Sequence, residues 1–318
     1  MRVTVTKGNM SFVVVFRSLK GKAALFSLLT ASSLALLKFI VGLTSHSVSL
    51  LASAVDSLMD FGASLLILFA IVSASRPADH DHRFGHGKAE ALASFLQGII
   101  IFLSGSYLAY KSVYRFFVPE SLEAVEKAMM VMVVSLIMTF LLVLYQRRVI
   151  RKTNSVAIEA DSLHYLTDLL TNVAVLVALA LEKLLAWHLA DPIIGLILSG
   201  YVLYASVGLI RDAVDILMDK DISDKFRDLL NEIIERYPEL YGYHDLRSRT
   251  SGDLNFLEVH LEMPQDIRLH ESHEIAEKVI RDIREVHPNT EIIIHTDPVT
   301  VDEQGQKKLL DKEAPRFY

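Results

Sequence analysis

The sequence predicts a six-helix membrane domain followed by a small α+β domain, and three observations carry that reading. The 318 residues are 52% hydrophobic with a mean hydropathy of +0.35, too apolar for an ordinary soluble chain of this size. The apolar residues concentrate before about residue 218. The last hundred residues instead mix charge with helical and alternating patterns. The resulting divisions are a basic leader over 1–20, the membrane domain over 21–218, the second domain over 219–300, and a charged, disordered tail over 301–318.

The leader carries Arg2, Lys7, Arg17 and Lys20 around a short apolar patch with no small-residue cleavage site, which reads as cytoplasmic and not as a signal peptide. Crossing ~30 Å of hydrocarbon takes about 20 helical residues. Six runs qualify: Ala23 to Thr44, Ser47 to Ser75, Ala91 to Tyr110, Ala128 to Tyr145, Ser155 to Leu185, and Pro192 to Ile210. Lys38, the one charge of the first run, stands near enough to its end to snorkel. The third, fourth and sixth runs carry no charge and read as packing or lipid-facing helices. His46 and His188 fall near the outer membrane boundary. Lys and Arg crowd the leader and the loops after runs two and four, while the loop between runs one and two has none. Both termini are therefore expected in the cytoplasm.

The second and fifth runs are the unusual ones. Asp56 and Asp60 lie in the middle of the second, and His164 and Asp168 interrupt the fifth. Both pairs are spaced i, i+4, so each presents two groups on one helix face. An Asp at the centre of a spanning helix costs about 2.5–3.5 kcal/mol on insertion scales, and a bound cation compensates that cost economically. Three carboxylates and one imidazole complete a tetrahedron around Zn²⁺ with ligands at roughly 2.0–2.2 Å. Because binding requires neutral His and ionised Asp, the same residues couple metal to protons. Asn172 shares the face of Asp168, either as a supporting hydrogen bonder or as an interhelical polar contact.

The loop PADHDHRFGHGKAE offers Asp79, His82 and His86 within eight residues, with Gly85 and Gly87 permitting a tight backbone. His80 and Asp81 are further candidates there. Beyond residue 219, Ser223 to Tyr237 and Leu269 to Val286 read as helices. Tyr243 to Arg249 and Asn255 to Met263 read as strands around a Ser-Gly-Asp turn, and Glu291 to Thr296 as a third strand ending at Asp297-Pro298. His244, His260, His273, His295 and Asp297 gather on these elements, and the pattern allows one metal site or two. His270 and His287 read as surface residues.

Several classes are excluded or unsupported. The chain has no cysteine, which removes disulfides, thiolate metal sites and cysteine nucleophiles. GHGKAE lacks the glycine spacing and Ser or Thr of a nucleotide-binding loop, so no nucleotide is expected. HESHE is one residue out from the zinc-protease pattern. A net charge of −6 without a basic, aromatic patch gives no reason to expect nucleic acid.

The segments SLLASAVDSLMDFGAS, PADHDHRFGHGKAEALA, EADSLHYLTDLLTN, YHDLRSRTSG, EVHLEM and IIIHTDP, in this order, resemble the cation diffusion facilitator family, and within it the bacterial ferrous-iron and zinc efflux branch. The resemblance runs from about Gly21 to Val299. It implies six spans and a ferredoxin-like cytoplasmic domain, assembled as a homodimer in the inner membrane, exporting Zn²⁺, Fe²⁺ or Cd²⁺ in exchange for protons. It further implies that Asp56, Asp60, His164 and Asp168 form the transport site, that Asp79, His82 and His86 form a loop site, and that His244, His260, His273, His295 and Asp297 form a binuclear cytoplasmic site. A membrane metal sensor that moves nothing is the alternative, and a membrane metalloenzyme lacks a recognisable nucleophile, base and pocket.

Overall fold

The computed structural model describes residues 15–44, 48–118, 126–185, 187, 189–301 and 307–309. His46 and His188 lie outside them. The chain divides into two compact units, Met1–Leu217 and Met218–Tyr318.

The first unit contains six long helices: α1 (Leu19–Thr44), α2 (Val48–Ala74), α3 (Ala89–Phe117), α4 (Glu126–Thr153), α5 (Val156–Leu185) and α6 (Ala190–Leu217). Five have a stretch long and apolar enough to cross a membrane. The exception is α5, where Glu159, Asp161, Asp168, Glu182 and Lys183 interrupt the apolar run. Large apolar side chains such as Leu36, Met59, Phe69 and Tyr204 point outward along the helices, as a lipid-facing surface requires.

Small residues let α3 approach α6 closely: a Cβ on Gly98 would stand 2.7 Å from Ile210 Cγ1, and one on Gly105 2.9 Å from Val202 Cγ1. Near the start of α3, Glu90 is buried and receives Lys20 Nζ of α1 at 2.8 Å and Ser155 Oγ, from the α4–α5 turn, at 2.5 Å. At the far end of α3, Arg115 Nη1 reaches Asp191 Oδ2 of α6 at 2.5 Å. Lys38 does not snorkel: its Nζ donates to Ser57 Oγ of α2 at 2.7 Å.

The second unit runs α7 (Asp224–Arg236), β1 (Gly242–Ser251), β2 (Leu254–Pro264), α8 (Leu269–Val286), β3 (Thr290–Val301) and β4 (Lys307–Leu309). The sheet order is β1-β2-β3-β4, with β1/β2 and β3/β4 antiparallel and β2/β3 parallel. Gly252, at φ 62° in the β1–β2 turn, adopts the left-handed conformation that glycine accepts without strain. Alternation divides β2: Leu257, Val259, Leu261 and Met263 are buried in one core with Phe226, Leu230 and Ile233 of α7 and Ile275, Val279 and Ile283 of α8. Two expectations change. The third strand does not end at Asp297-Pro298 but continues to Val301, because Val299 to Val301 pair with β4. That pairing also places Lys307–Leu309, expected as part of a disordered tail, in the sheet.

Candidate metal centres

Three clusters of His and carboxylate groups form among the described residues. In the first unit, His164 Nε2 of α5 lies 3.2 Å from Asp60 Oδ1 of α2 and 3.7 Å from Asp168 Oδ2, one turn along its own helix. The three offer ligand atoms within 4.8 Å of one another, and all three are half-buried. Two helices are needed because a single i, i+4 pair supplies only two ligands. Asp56, expected as a fourth ligand, is exposed one turn earlier on α2 and does not join this group. Asn172 does not face the cluster as a ligand partner; its Nδ2 donates to the Asp168 carbonyl at 2.9 Å, inside the helix.

Directly behind this cluster lies a polar network that the sequence reading missed. Asp161, fully buried on α5, accepts hydrogen bonds from Ser27 Oγ of α1 at 2.5 Å and from Gln146 Nε2 of α4 at 2.7 Å, both on Oδ2. Ser64 Oγ of α2 stands 3.4 Å from Oδ1 and 2.8 Å from Tyr165 OH. The signal was present: Asp161 precedes His164 by three residues and so shares its helix face.

The loop before α3 folds Asp79, His82 and His86 together. Asp79 Oδ1 accepts the backbone N–H groups of His82 at 2.7 Å and Asp81 at 3.0 Å, and its Oδ2 lies 3.5 Å from His86 Nε2. The His82 backbone hydrogen bond chiefly holds the Asp79 carboxyl below its ordinary value. Gly85, at φ 77°, turns the chain so that the two imidazoles meet with centroids 4.5 Å apart. His80 and Asp81 contact each other and stay out of the cluster.

In the second unit, strand register builds the site. His244 of β1 pairs with His260 of β2, which pairs with His295 of β3, so three imidazoles stand in a row across the sheet. Their centroids are 5.2 Å and 4.7 Å apart. His260 alternates with the buried Val259 and Leu261, which puts the row on the face away from the helices. Asp297 is the hub, with Oδ2 2.9 Å from His260 Nδ1 and 3.0 Å from His244 Nε2, and Oδ1 3.0 Å from His295 Nε2. Two carboxylates beyond the expected ligands stand beside the row. Glu262 reaches His244 Nδ1 at 3.2 Å, and Asp245, at φ 44° beside a register shift in β1, groups with His244 and His260. His273 joins none of the clusters: it is exposed on α8, whose packing residues cover the opposite face of the sheet. Of the two surface histidines, His270 is exposed, whereas His287 caps α8 against Phe226 and is held below its ordinary pKa by burial and by Lys225.

Oxygen and imidazole nitrogen in groups of three or four are the donor set of divalent transition metals. Comparison with known proteins identifies the family. Residues 24–218 match the cation efflux transmembrane domain, and residues 222–299 match the cation efflux protein cytoplasmic domain. Cation-efflux pump FieF of Klebsiella pneumoniae subsp. pneumoniae is 38% identical over 294 residues, covering 92% of this chain and 98% of the relative. The protein of the same name from Serratia proteamaculans is 39% identical over 285 residues, covering 90% and 95%. Among solved structures, the metal-bound C-terminal domain of the CzcD transporter from Thermotoga maritima is 24% identical, covering 23% of this chain and 87% of that one with a TM-score of 0.22. The chain, matched along both of its units, belongs to the cation efflux, or cation diffusion facilitator, family.

Proposed function

We propose that this protein is a secondary transporter, not an enzyme, that exports divalent metal cations from the cytoplasm in exchange for protons. Zn²⁺ is the first substrate, with Fe²⁺ and Cd²⁺ as others that an N/O site of this kind accepts. The observation that carries the reading is the meeting of Asp60 with His164 and Asp168 between α2 and α5 of a membrane domain. Such groups bind metal when His is neutral and the acids are ionised, and release it when protons replace it. Asp56 completes the site when α2 and α5 shift during alternating access.

The remaining assignments follow from the same reading. The protein sits in the bacterial inner membrane with both termini in the cytoplasm, as the distribution of Lys and Arg suggests. It works as a homodimer. The row His244, His260, His295 with Asp297 binds regulatory metal, with His273 drawn in only by rearrangement, and thereby favours the transporting state. Asp79, His82 and His86 bind a further ion at the membrane surface.

The test is zinc flux into proteoliposomes carrying an internal metal dye under an imposed pH gradient. Wild-type protein is expected to transport and Asp60→Ala to lose transport. Undiminished flux in Asp60→Ala would sink the transport-site assignment, and binding without flux in the wild type would favour a membrane metal sensor. Competition between Zn²⁺ and anaerobic Fe²⁺ ranks the substrates.

A further inference from the structure

Asp161 is a fully buried acid that metal exchange at Asp60, His164 and Asp168 does not use. Its hydrogen-bond partners among the described residues are all neutral: Ser27 of α1, Ser64 of α2 and Gln146 of α4. Each of these groups can donate a hydrogen bond to it. Gln146 Nε2 can only donate, and it donates to Oδ2. Ser64 Oγ shares hydrogen bonds with Tyr165 OH at 2.8 Å and with Ser27 Oγ at 3.2 Å, and stands 3.4 Å from Oδ1. The Ser27 proton points at Oδ2. Ser27 and Gln146 thus donate to Oδ2 and Ser64 stands beside Oδ1, a setting of donors that suits an ionised carboxylate.

An ionised Asp161 stands one turn from His164 and on the same face of α5. From the ligand cluster it is a fixed negative charge in a low-dielectric surround, where attraction to a divalent ion is strengthened. Its oxygens do not join the group formed by Asp60, His164 and Asp168. We propose that Asp161 is a positioning residue for the metal: an anion, set among the donors Ser27, Ser64 and Gln146, that raises the affinity of the adjacent site for divalent cations.

The inference rests on the exporter reading, and the experiment separates the two. Zinc flux is measured in proteoliposomes of the full-length protein over a range of Zn²⁺ concentrations. Asp161→Asn keeps the size of the side chain and removes the charge. The expected result is a KM for Zn²⁺ raised at least about tenfold, a floor for one charge acting on a divalent ion about a helical turn away at an effective dielectric constant near 20, with the maximal rate within about twofold. Ser27→Ala removes one donor and keeps the charge, and leaves KM within about twofold. Gln146→Lys keeps a donor, leaves Asp161 untouched and neutralises it, so it raises KM as Asp161→Asn does, and it decides the matter if Asp161→Asn fails to fold. An unchanged KM in Gln146→Lys, or equal increases in Ser27→Ala and Asp161→Asn, overturns the inference. Absence of flux in the wild type overturns the exporter reading instead.

Discussion

Lys20→Met tests how the membrane unit is fastened at one end. Lys20 Nζ lies 2.8 Å from Glu90 Oε1, with the two side chains only 8% and 5% exposed, and Ser155 Oγ donates to the other carboxylate oxygen. One acid thus ties α1, α3 and the α4–α5 turn. Removing the lysine while leaving the buried carboxylate costs about 3–5 kcal/mol, whereas replacing both members of such a pair with neutral groups is often nearly free. Ser155→Ala, which removes one charge-assisted hydrogen bond, costs roughly 1.5–3 kcal/mol. The assay is reversible unfolding of the full-length protein in mixed micelles, run as a double-mutant cycle with Glu90→Gln. Lys20→Met is expected to be the least stable variant, and Lys20→Met/Glu90→Gln to regain most of the loss. If the double mutant is as unstable as the sum of its singles, the two groups do not interact, and the reasoning from burial is refuted.

Two further predictions concern packing and pH. Gly105→Leu drives a side chain into Val202 and Leu203 across the α3–α6 contact and lowers the stability of the full-length protein by about 1–3 kcal/mol, measured in the same assay. Burial raises the Asp221 carboxyl, but hydrogen bonds from Ser223 and Ser248, including Ser248 Oγ at 2.8 Å, outweigh it and hold the group below its ordinary value. A depressed acid stabilises the fold above its unfolded pKa of about 3.9, and that contribution is lost as pH falls through the lower folded value. Asp221→Ala is therefore expected to lower the unfolding midpoint of the second unit at pH 7 and to leave it unchanged in strong acid; an equal deficit at both pH values counts against the assignment.

What was legible in the sequence follows the range of the physics involved. Helix spans and the interrupted character of α5 are local, and they appear where the pattern puts them. The buried face of β2 was legible for the same reason. Register was not: nothing in the alternation of β1, β2 and β3 says that His244, His260 and His295 stand opposite one another, since a slip of two residues preserves every face. Lys38 was misread because its partner, Ser57, belongs to another helix. Expecting a disordered tail missed β4, because three residues of charge-rich sequence become a strand only where β3 offers an open edge.

The hardest distinction was among the acids of α5, which look alike in sequence. Asp168 faces an imidazole, whose proton a metal can replace, so its environment suits exchange. Asp161 faces hydroxyls and an amide that keep their protons at any physiological pH, so its partners offer hydrogen bonds and no proton to exchange. Both lie within a turn of His164, and spacing alone assigns them the same face. The groups brought by α1, α2 and α4 are what tell the two acids apart.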